Sequence, residues 1–113
     1  MKRILLVLIP LVMISGSICW GQRNIPDDYE RGRSLFNGTC RQCHLDRSQG
    51  DQPTAYYLRF RPDDFNDEDF WKKHNEKTIA ETISRGKGAM PAQRVSAEET
   101  RLIMDYMVKK FKK

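Results

Sequence analysis

The sequence predicts an all-α domain, and three observations predict it. No stretch alternates apolar and polar residues with the period of two that a half-buried strand requires. Helix-start residues recur ahead of apolar residues at helical spacing, at Asp27–Asp28, Asn66–Asp67 and Ser96. Glycines and prolines fall between these segments rather than within them, apart from Gly32 and Gly38.

The elements follow in order. A first helix should begin at Asp27 or Asp28, behind Pro26, and run toward Cys40. Acidic residues suit its first turn, and Tyr29, Gly32, Leu35 and Phe36 share one face. Residues 49–62 contain Gly50, Pro53 and Pro62 and read as loop with one short turn. Asn66 or Asp67 should cap a short helix holding Phe70 and Trp71. Residues 78–85 read as another, with Ile79 and Ile83 four apart and Gly86 as the stop. Ser96-x-x-Glu99 is a capping-box pattern that opens the last helix. There Leu102, Ile103, Tyr106 and Met107 form an i, i+1, i+4, i+5 stripe. Repeats and low-complexity tracts are missing.

The N-terminus reads as a secretory signal. Lys2 and Arg3 precede an apolar run over residues 4–14, broken by Pro10, and smaller residues follow. The run is about half of the roughly 20 residues that a membrane-spanning helix needs. Cys19 and Gly21 fit the −3 and −1 positions of a cleavage site, so residues 1–21 would leave and the exported, periplasmic protein would start at Gln22. An uncleaved membrane anchor is the alternative. A lipoprotein reading of Cys19 is weaker, because Ile18 stands where a small residue is needed. Residues 22–113 then make one small domain. Loss of Lys2 and Arg3 lowers the net charge from +5 to +3. Lys109, Lys110, Lys112 and Lys113 crowd the last five positions. They complement the negative end of a C-terminal helix, with a docking patch for an acidic redox partner as the alternative. No basic stripe is interleaved with aromatics, so nucleic-acid binding has no support.

Cys40-Arg41-Gln42-Cys43-His44 spells C-x-x-C-H, the attachment sequence for c-type haem. Two thiols three positions apart can reach the two vinyl groups on one haem edge and form thioethers. The adjacent histidine is carried over the haem face, where its ring nitrogen can bind iron. A thioredoxin-like dithiol would want a βαβ setting. A zinc site needs four ligands, usually in two pairs. With Cys19 removed, both remaining cysteines are committed to one haem, whose apolar plate would complete a core that is thin in a domain this small.

A second iron ligand is needed if the iron is closed. Of five methionines, Met1 and Met13 lie in the signal, and Met104 and Met107 fall in the last helix, where packing is the default. Met90 sits in Arg85-Gly86-Lys87-Gly88-Ala89-Met90-Pro91, a glycine-rich loop. There glycines let backbone approach a flat cofactor, and a thioether suits low-spin haem iron. His74 competes, but its polar run Lys72-Lys73-His74-Asn75-Glu76-Lys77 predicts a solvent-facing ring. An open or water-bound site is the third reading.

Taken in order, these elements resemble the small class I, monohaem cytochromes c of bacteria. The resemblance covers roughly residues 28–111. It implies the cytochrome c fold, with N- and C-terminal helices crossing beside one covalent haem. It makes Gly32 the crossing point against Tyr106, with Phe36 packed beside them. It also implies that a proline carbonyl, here of Pro53, accepts the other ring proton of His44. The stretch Leu58-Arg59-Phe60-Arg61-Pro62-Asp63-Asp64-Phe65-Asn66-Asp67 with Phe70-Trp71 is similar to one that wraps the propionate edge in a periplasmic subgroup. Arg59, Arg61 and Trp71 would then donate to propionates, although each arginine reads equally well as an exposed charge. Leu45 departs from the small residue that many relatives carry after the histidine. With both axial positions filled by His44 and Met90, the expected role is one-electron transfer by a monomeric carrier between redox proteins, not catalysis. The alternatives are a haem subunit of a larger, membrane-bound oxidoreductase, a ligand-binding or peroxidase-like haem protein, and a dithiol protein without haem. Cys40→Ser and Cys43→Ser should each leave a single thioether, mature poorly and show a red-shifted α band. Normal maturation of both with unchanged spectra would remove the haem reading.

Overall fold

The computed structural model describes residues 26–113, so the signal segment lies outside the described residues. Five α-helices follow one another: α1 Asp28–Thr39, α2 Ala55–Phe60, α3 Glu68–Lys73, α4 Glu76–Arg85 and α5 Ala97–Phe111. A 3₁₀ turn at Arg47–Gln49 lies between α1 and α2. Among the described residues there is no strand, only an isolated bridge between Lys87 and Met90. None of the described helices is long and apolar enough to cross a membrane.

Each helix starts where a short polar side chain can satisfy its leading N–H groups. Asp27, Thr54, Asp67, Asn75 and Ser96 accept from the backbone N–H of Glu30, Tyr57, Asp69, Thr78 and Glu99. The capping box at α5 is complete, since Ser96 N donates to Glu99 Oε2 at 2.8 Å and Glu99 N to Ser96 Oγ at 3.1 Å. Two expectations shift. Helix α4 begins two residues earlier than expected, because Asn75 is the capping residue. Helix α2 stands in the stretch read as loop. It has no buried residue, so no apolar period marks it in the sequence, and its start depends on Thr54 alone. Arg61 ends it in the left-handed region at φ 49°.

Helix α5 packs chiefly on α1 and secondarily on α4. Gly32 is the reason the α1–α5 approach is so close. A Cβ there would fall inside contact distance of the Leu102 carbonyl oxygen and 2.9 Å from Tyr106 Cβ. One turn later Phe36 is fully buried, its ring 5.4 Å from both Tyr106 and Phe111 and 6.0 Å from Phe65. Such edge and tilted contacts suit the ring quadrupoles. Another turn on comes Cys40, also buried. Positions 32, 36 and 40 thus repeat every four residues on one face. The same face that holds α5 carries the first cysteine inward. From α5, Leu102, Ile103, Met104, Tyr106, Met107 and Phe111 are buried, and Ile79 and Ile83 of α4 complete the core.

Gly32→Val should separate α1 from α5 and lower stability by about 1–3 kcal/mol, the usual range for overpacking. Chemical denaturation checks it, and a midpoint equal to wild type would show that the helices do not depend on this contact.

Candidate functional site

The C-x-x-C-H sequence continues the last turn of α1. Cys43 N and His44 N both donate to the Cys40 carbonyl, at 3.1 and 2.8 Å. The two thiols and the imidazole are therefore arranged around a single turn. Cys40 is buried and Cys43 half-buried, and no disulfide joins them. Burial, with a smaller contribution from Cys43, pushes the Cys40 thiol up to about 12. A dithiol oxidoreductase needs the opposite, a thiolate stabilised near neutral pH. Among the described residues no group of three or more His, Cys, Asp or Glu is placed to hold a metal ion.

His44 is held on two sides. Its ring stacks on Phe65 with centroids 4.6 Å apart and planes 19° apart. Its Nδ1 lies 2.9 Å from the Asp63 carbonyl oxygen. A carbonyl only accepts, so Nδ1 carries the proton and Nε2 keeps its lone pair. Burial lowers the His44 pKa, opposed by the Asp63 carbonyl, so the neutral form that a metal ligand requires is favoured. Pro53 does not supply this carbonyl. It is exposed, and the chain brings the Asp63 end of the next loop across the ring instead.

A carboxylate-rich loop braces the turn from behind. Arg41, the first variable residue of the motif, donates from Nε and a terminal nitrogen to the two oxygens of Asp51, at 2.7 and 2.5 Å, and from its other terminal nitrogen to Gln49 at 2.7 Å. Asp51 also accepts from Asp46 N at 2.9 Å. Asp46 is fully buried and accepts from Ser48 N, Ser48 Oγ and Gln49 Nε2. Burial raises its pKa, but the Ser48 and Gln49 hydrogen bonds together outweigh burial and hold the carboxyl below its usual range. The Arg41 guanidinium, joined by Asp46 N, lowers Asp51 to about 2. Leu45, the residue flagged as unusual in size, is buried between the histidine and this loop's first aspartate in sequence.

Beyond His44 opens a cleft of two adjoining lobes, with about 530 and 1280 Å³ of empty space. The inner lobe is walled by Phe65, Phe70, Ile79, Ile83 and Met107, the outer by Cys43, Tyr56, Phe60 and the Met90 loop. Cys40, His44, His74 and Met90 line both. The Met90 loop is shaped by its glycines. Lys87 and Met90 exchange backbone hydrogen bonds at 2.9 and 3.0 Å around Gly88, whose φ is 57°. Gly86 has φ 75°, and a Cβ there would lie 2.6 Å from Ala92 N and 2.7 Å from the Met90 carbonyl oxygen. Its absent side chain thus serves the loop's own closure. Tyr56 of α2 donates from its hydroxyl to the Ala89 carbonyl at 3.0 Å and tethers the loop beside Met90.

The structure thus gathers Cys40, Cys43, His44 and Met90 at one cleft, and of the proposed propionate donors it brings only Arg61 there. Arg59 does not line the cleft; its guanidinium lies 5.0 Å from the centre of the Phe60 ring on α2. Trp71 is a correction: its indole N–H donates to the Phe65 carbonyl at 2.9 Å, so it buttresses the residue that stacks on His44. His74 is another. Its ring packs 4.8 Å from Phe70, is half-buried and lines the cleft rather than facing away into solvent. Met107 reaches the inner lobe as well, from within α5. Asp63, Phe65 and Tyr56 were missed by sequence reasoning. Asp63 and Ala89 act through backbone carbonyls, which every residue carries, so no side-chain signal marks them.

The cleft fits a haem by its donor set. Two cysteines line it, an imidazole has its second ring nitrogen unprotonated and available to a metal, a thioether is carried on a loop, and the inner wall is apolar. The family described as "Cytochrome C oxidase, cbb3-type, subunit III" has a model that matches residues 27–107. No curated protein and no solved structure matches the chain.

Asp51→Asn should lower the thermal midpoint at neutral pH. A carboxyl depressed in the folded state stabilises above its unfolded pKa, and that stability is lost as pH falls through the folded value. The wild type should therefore weaken between about pH 4 and pH 2 by an amount that the variant lacks. Thermal melts across that range check it, and equal neutral-pH midpoints would show that the Arg41–Asp51 clamp adds nothing.

Proposed function

The chain belongs to the cbb3-type cytochrome c oxidase subunit III family, a cytochrome c family, and from that membership we propose that it is a monohaem electron carrier with His44 and Met90 as axial ligands. The observation that supports it most is the state of His44. Its Nδ1–H donates to the Asp63 carbonyl while the ring lines the same cleft as Met90 and both thiols. When bound, a c-type haem supplies a one-electron couple, and Met/His ligation raises its potential.

The chain's own residues have separate tasks. Cys40 and Cys43 would bind the cofactor covalently, each thiol adding across one vinyl group. The Asp63 carbonyl and the Phe65 ring fix the tautomer and plane of His44. Phe65, Phe70, Ile79 and Ile83 exclude water from the inner lobe, which favours the apolar plate. Arg61 at the outer lobe is suited to a propionate, as a planar charged donor. With His44 and Met90 both bound to it, the iron would have no position for a substrate, so transfer of an electron is the activity proposed, without catalysis of a further reaction. The signal-like residues 1–21 support export to the periplasm. The family's description favours a second reading, in which the chain works as a haem subunit within a membrane oxidase complex.

Met90→Ala tests the ligation. Oxidised wild type should show the weak sulfur-to-iron band near the red end of the visible spectrum. The variant should lose that band, fall in potential, and bind carbon monoxide when reduced. Met104→Leu and Met107→Leu should keep all three wild-type properties, since leucine conserves volume in the core. Loss of the band in Met107→Leu instead would move the ligand from the loop to α5. Rapid carbon monoxide binding by wild type would replace the carrier with a ligand-binding haem protein.

A further inference from the structure

The Met90 loop is fastened unevenly. Its two ends are tied to α4, where Gly86 N donates to the Thr82 carbonyl and Gln93 N to the Ile83 carbonyl, both at 2.8 Å. Its tip, residues 87–90, closes on itself through the paired backbone bonds around Gly88. The Met90 side chain packs on the core. Lys87, Gly88 and Ala89 are exposed, and a Cβ on Gly88 would meet nothing within 4 Å. Apolar packing therefore does little to hold the backbone of the tip. Among the described residues, one side chain from outside the loop donates to it, the Tyr56 hydroxyl, which meets the Ala89 carbonyl at 3.0 Å. Ala89 directly precedes Met90, so this bond restrains the backbone that carries the thioether.

The helix that carries Tyr56 has no place in the core. Helix α2 buries none of its residues and packs against none of the other described helices. Its six residues are too few to form a stable helix in water unaided. On one face it presents Tyr56 and Phe60, four positions apart, with ring centroids 4.6 Å apart. Both rings line the outer lobe together with Ala89 and Met90. At its other end Arg61 turns the chain out of the helix at φ 49°. Two residues later the Asp63 carbonyl lies 2.9 Å from His44 Nδ1. Helix α2 therefore joins the tip of the Met90 loop to the stretch that orients His44.

We propose that Tyr56 is a positioning residue that keeps Met90 at the iron, by tying the loop tip to α2 and through α2 to the stretch that orients His44; this rests on the His44 and Met90 ligation proposed above. A thioether has no charge for the iron to attract, so its hold depends on how little the loop can withdraw. An exposed tip opens locally at a free energy well below that of global unfolding. Because Ala89 is exposed, water replaces the lost donor when the hydroxyl is removed. The effect on opening is then that of one net hydrogen bond, a factor of roughly two to ten.

The experiment uses the purified haem-loaded protein and its Tyr56→Phe variant, which loses one hydroxyl and keeps the ring. Two readouts report opening of the loop. In the oxidised protein, added imidazole should replace Met90 roughly two to ten times faster in the variant, followed as loss of the sulfur-to-iron band. In the reduced protein, hydrogen exchange read by nuclear magnetic resonance should quicken by a similar factor at the Lys87 and Met90 amides, with the Phe36 and Ile103 amides unchanged. Tyr57→Phe removes the same group from the next residue of α2, which does not line the cleft, and should match wild type in both readouts. Wild-type values in Tyr56→Phe would overturn the proposal. Equal acceleration at Phe36 and Ile103, which marks general destabilisation, would do the same, as would an equal effect from Tyr57→Phe. The ligation premise is read separately. If wild type lacks the sulfur-to-iron band, the ligation reading falls and the role of Tyr56 at the iron falls with it. A band in wild type, with imidazole and exchange rates unmoved in the variant, removes the role of Tyr56 alone.

Discussion

The close approach of α1 and α5 at Gly32 is the constraint on which the rest of the molecule depends. With no side chain at that point, the Leu102 carbonyl and Tyr106 Cβ can come up against the α1 backbone. This fixes the height and rotation of α1 on α5. Once those are set, the four-residue repeat leaves Phe36 no position but the aromatic cluster with Phe65, Tyr106 and Phe111. The next step of the same repeat places Cys40 on the cleft wall. The position of the attachment turn is thus a consequence of helix packing, and a shift of α1 would displace the first cysteine with it.

Two kinds of interaction then hold the attachment turn, and they act on opposite sides. On the cleft side the contacts are aromatic: Phe65 stacks on His44, and Phe70 and the Trp71 N–H hold Phe65 in place. On the far side the contacts are ionic and polar, from Arg41 to Asp51 and through Asp46 to Ser48 and Gln49. A buried carboxylate such as Asp46 is tolerable only when its lone pairs are filled. Among the described residues no buried side-chain nitrogen or oxygen lacks a partner. The polar brace is directional, so it specifies the path of the loop where apolar packing alone would leave it loose. That matters for a ligand whose useful nitrogen must face one way.

The Met90 loop is built on a different principle. It uses few side chains and relies on backbone conformations that only glycine adopts cheaply, at Gly86 and Gly88, with the bridge between Lys87 and Met90 closing the turn. Tyr56 ties it to α2, an otherwise exposed helix with no buried residue of its own. Helix α2 therefore serves the site rather than the core, which accounts for its weak trace in the sequence.

Local chemistry made much of this protein legible before any coordinates. Capping residues lie beside the segments they start, so α1, α3 and α5 could be read from Asp27, Asp67 and Ser96. The motif at Cys40–His44 carries its chemistry in five consecutive residues, and Met90 is marked by the glycines around it. That Gly32 meets Tyr106 was legible only through resemblance, because a helix crossing has no local signature. What tertiary structure alone decided involves groups distant in sequence or identical in every residue. The carbonyl facing His44 belongs to Asp63 and not Pro53, since any residue can offer a carbonyl and the loop path selects which one. Trp71 spends its N–H on Phe65, and His74 turns into the cleft from a run of charges that reads as solvated. Two C-terminal lysines near each other in sequence reach different places, Lys109 over the Tyr29 ring of α1 and Lys112 beside Glu76 of α4. Lysines 35 or more positions apart meet around one hollow, because folding brings the ends of α3 and α5 to the start of α4.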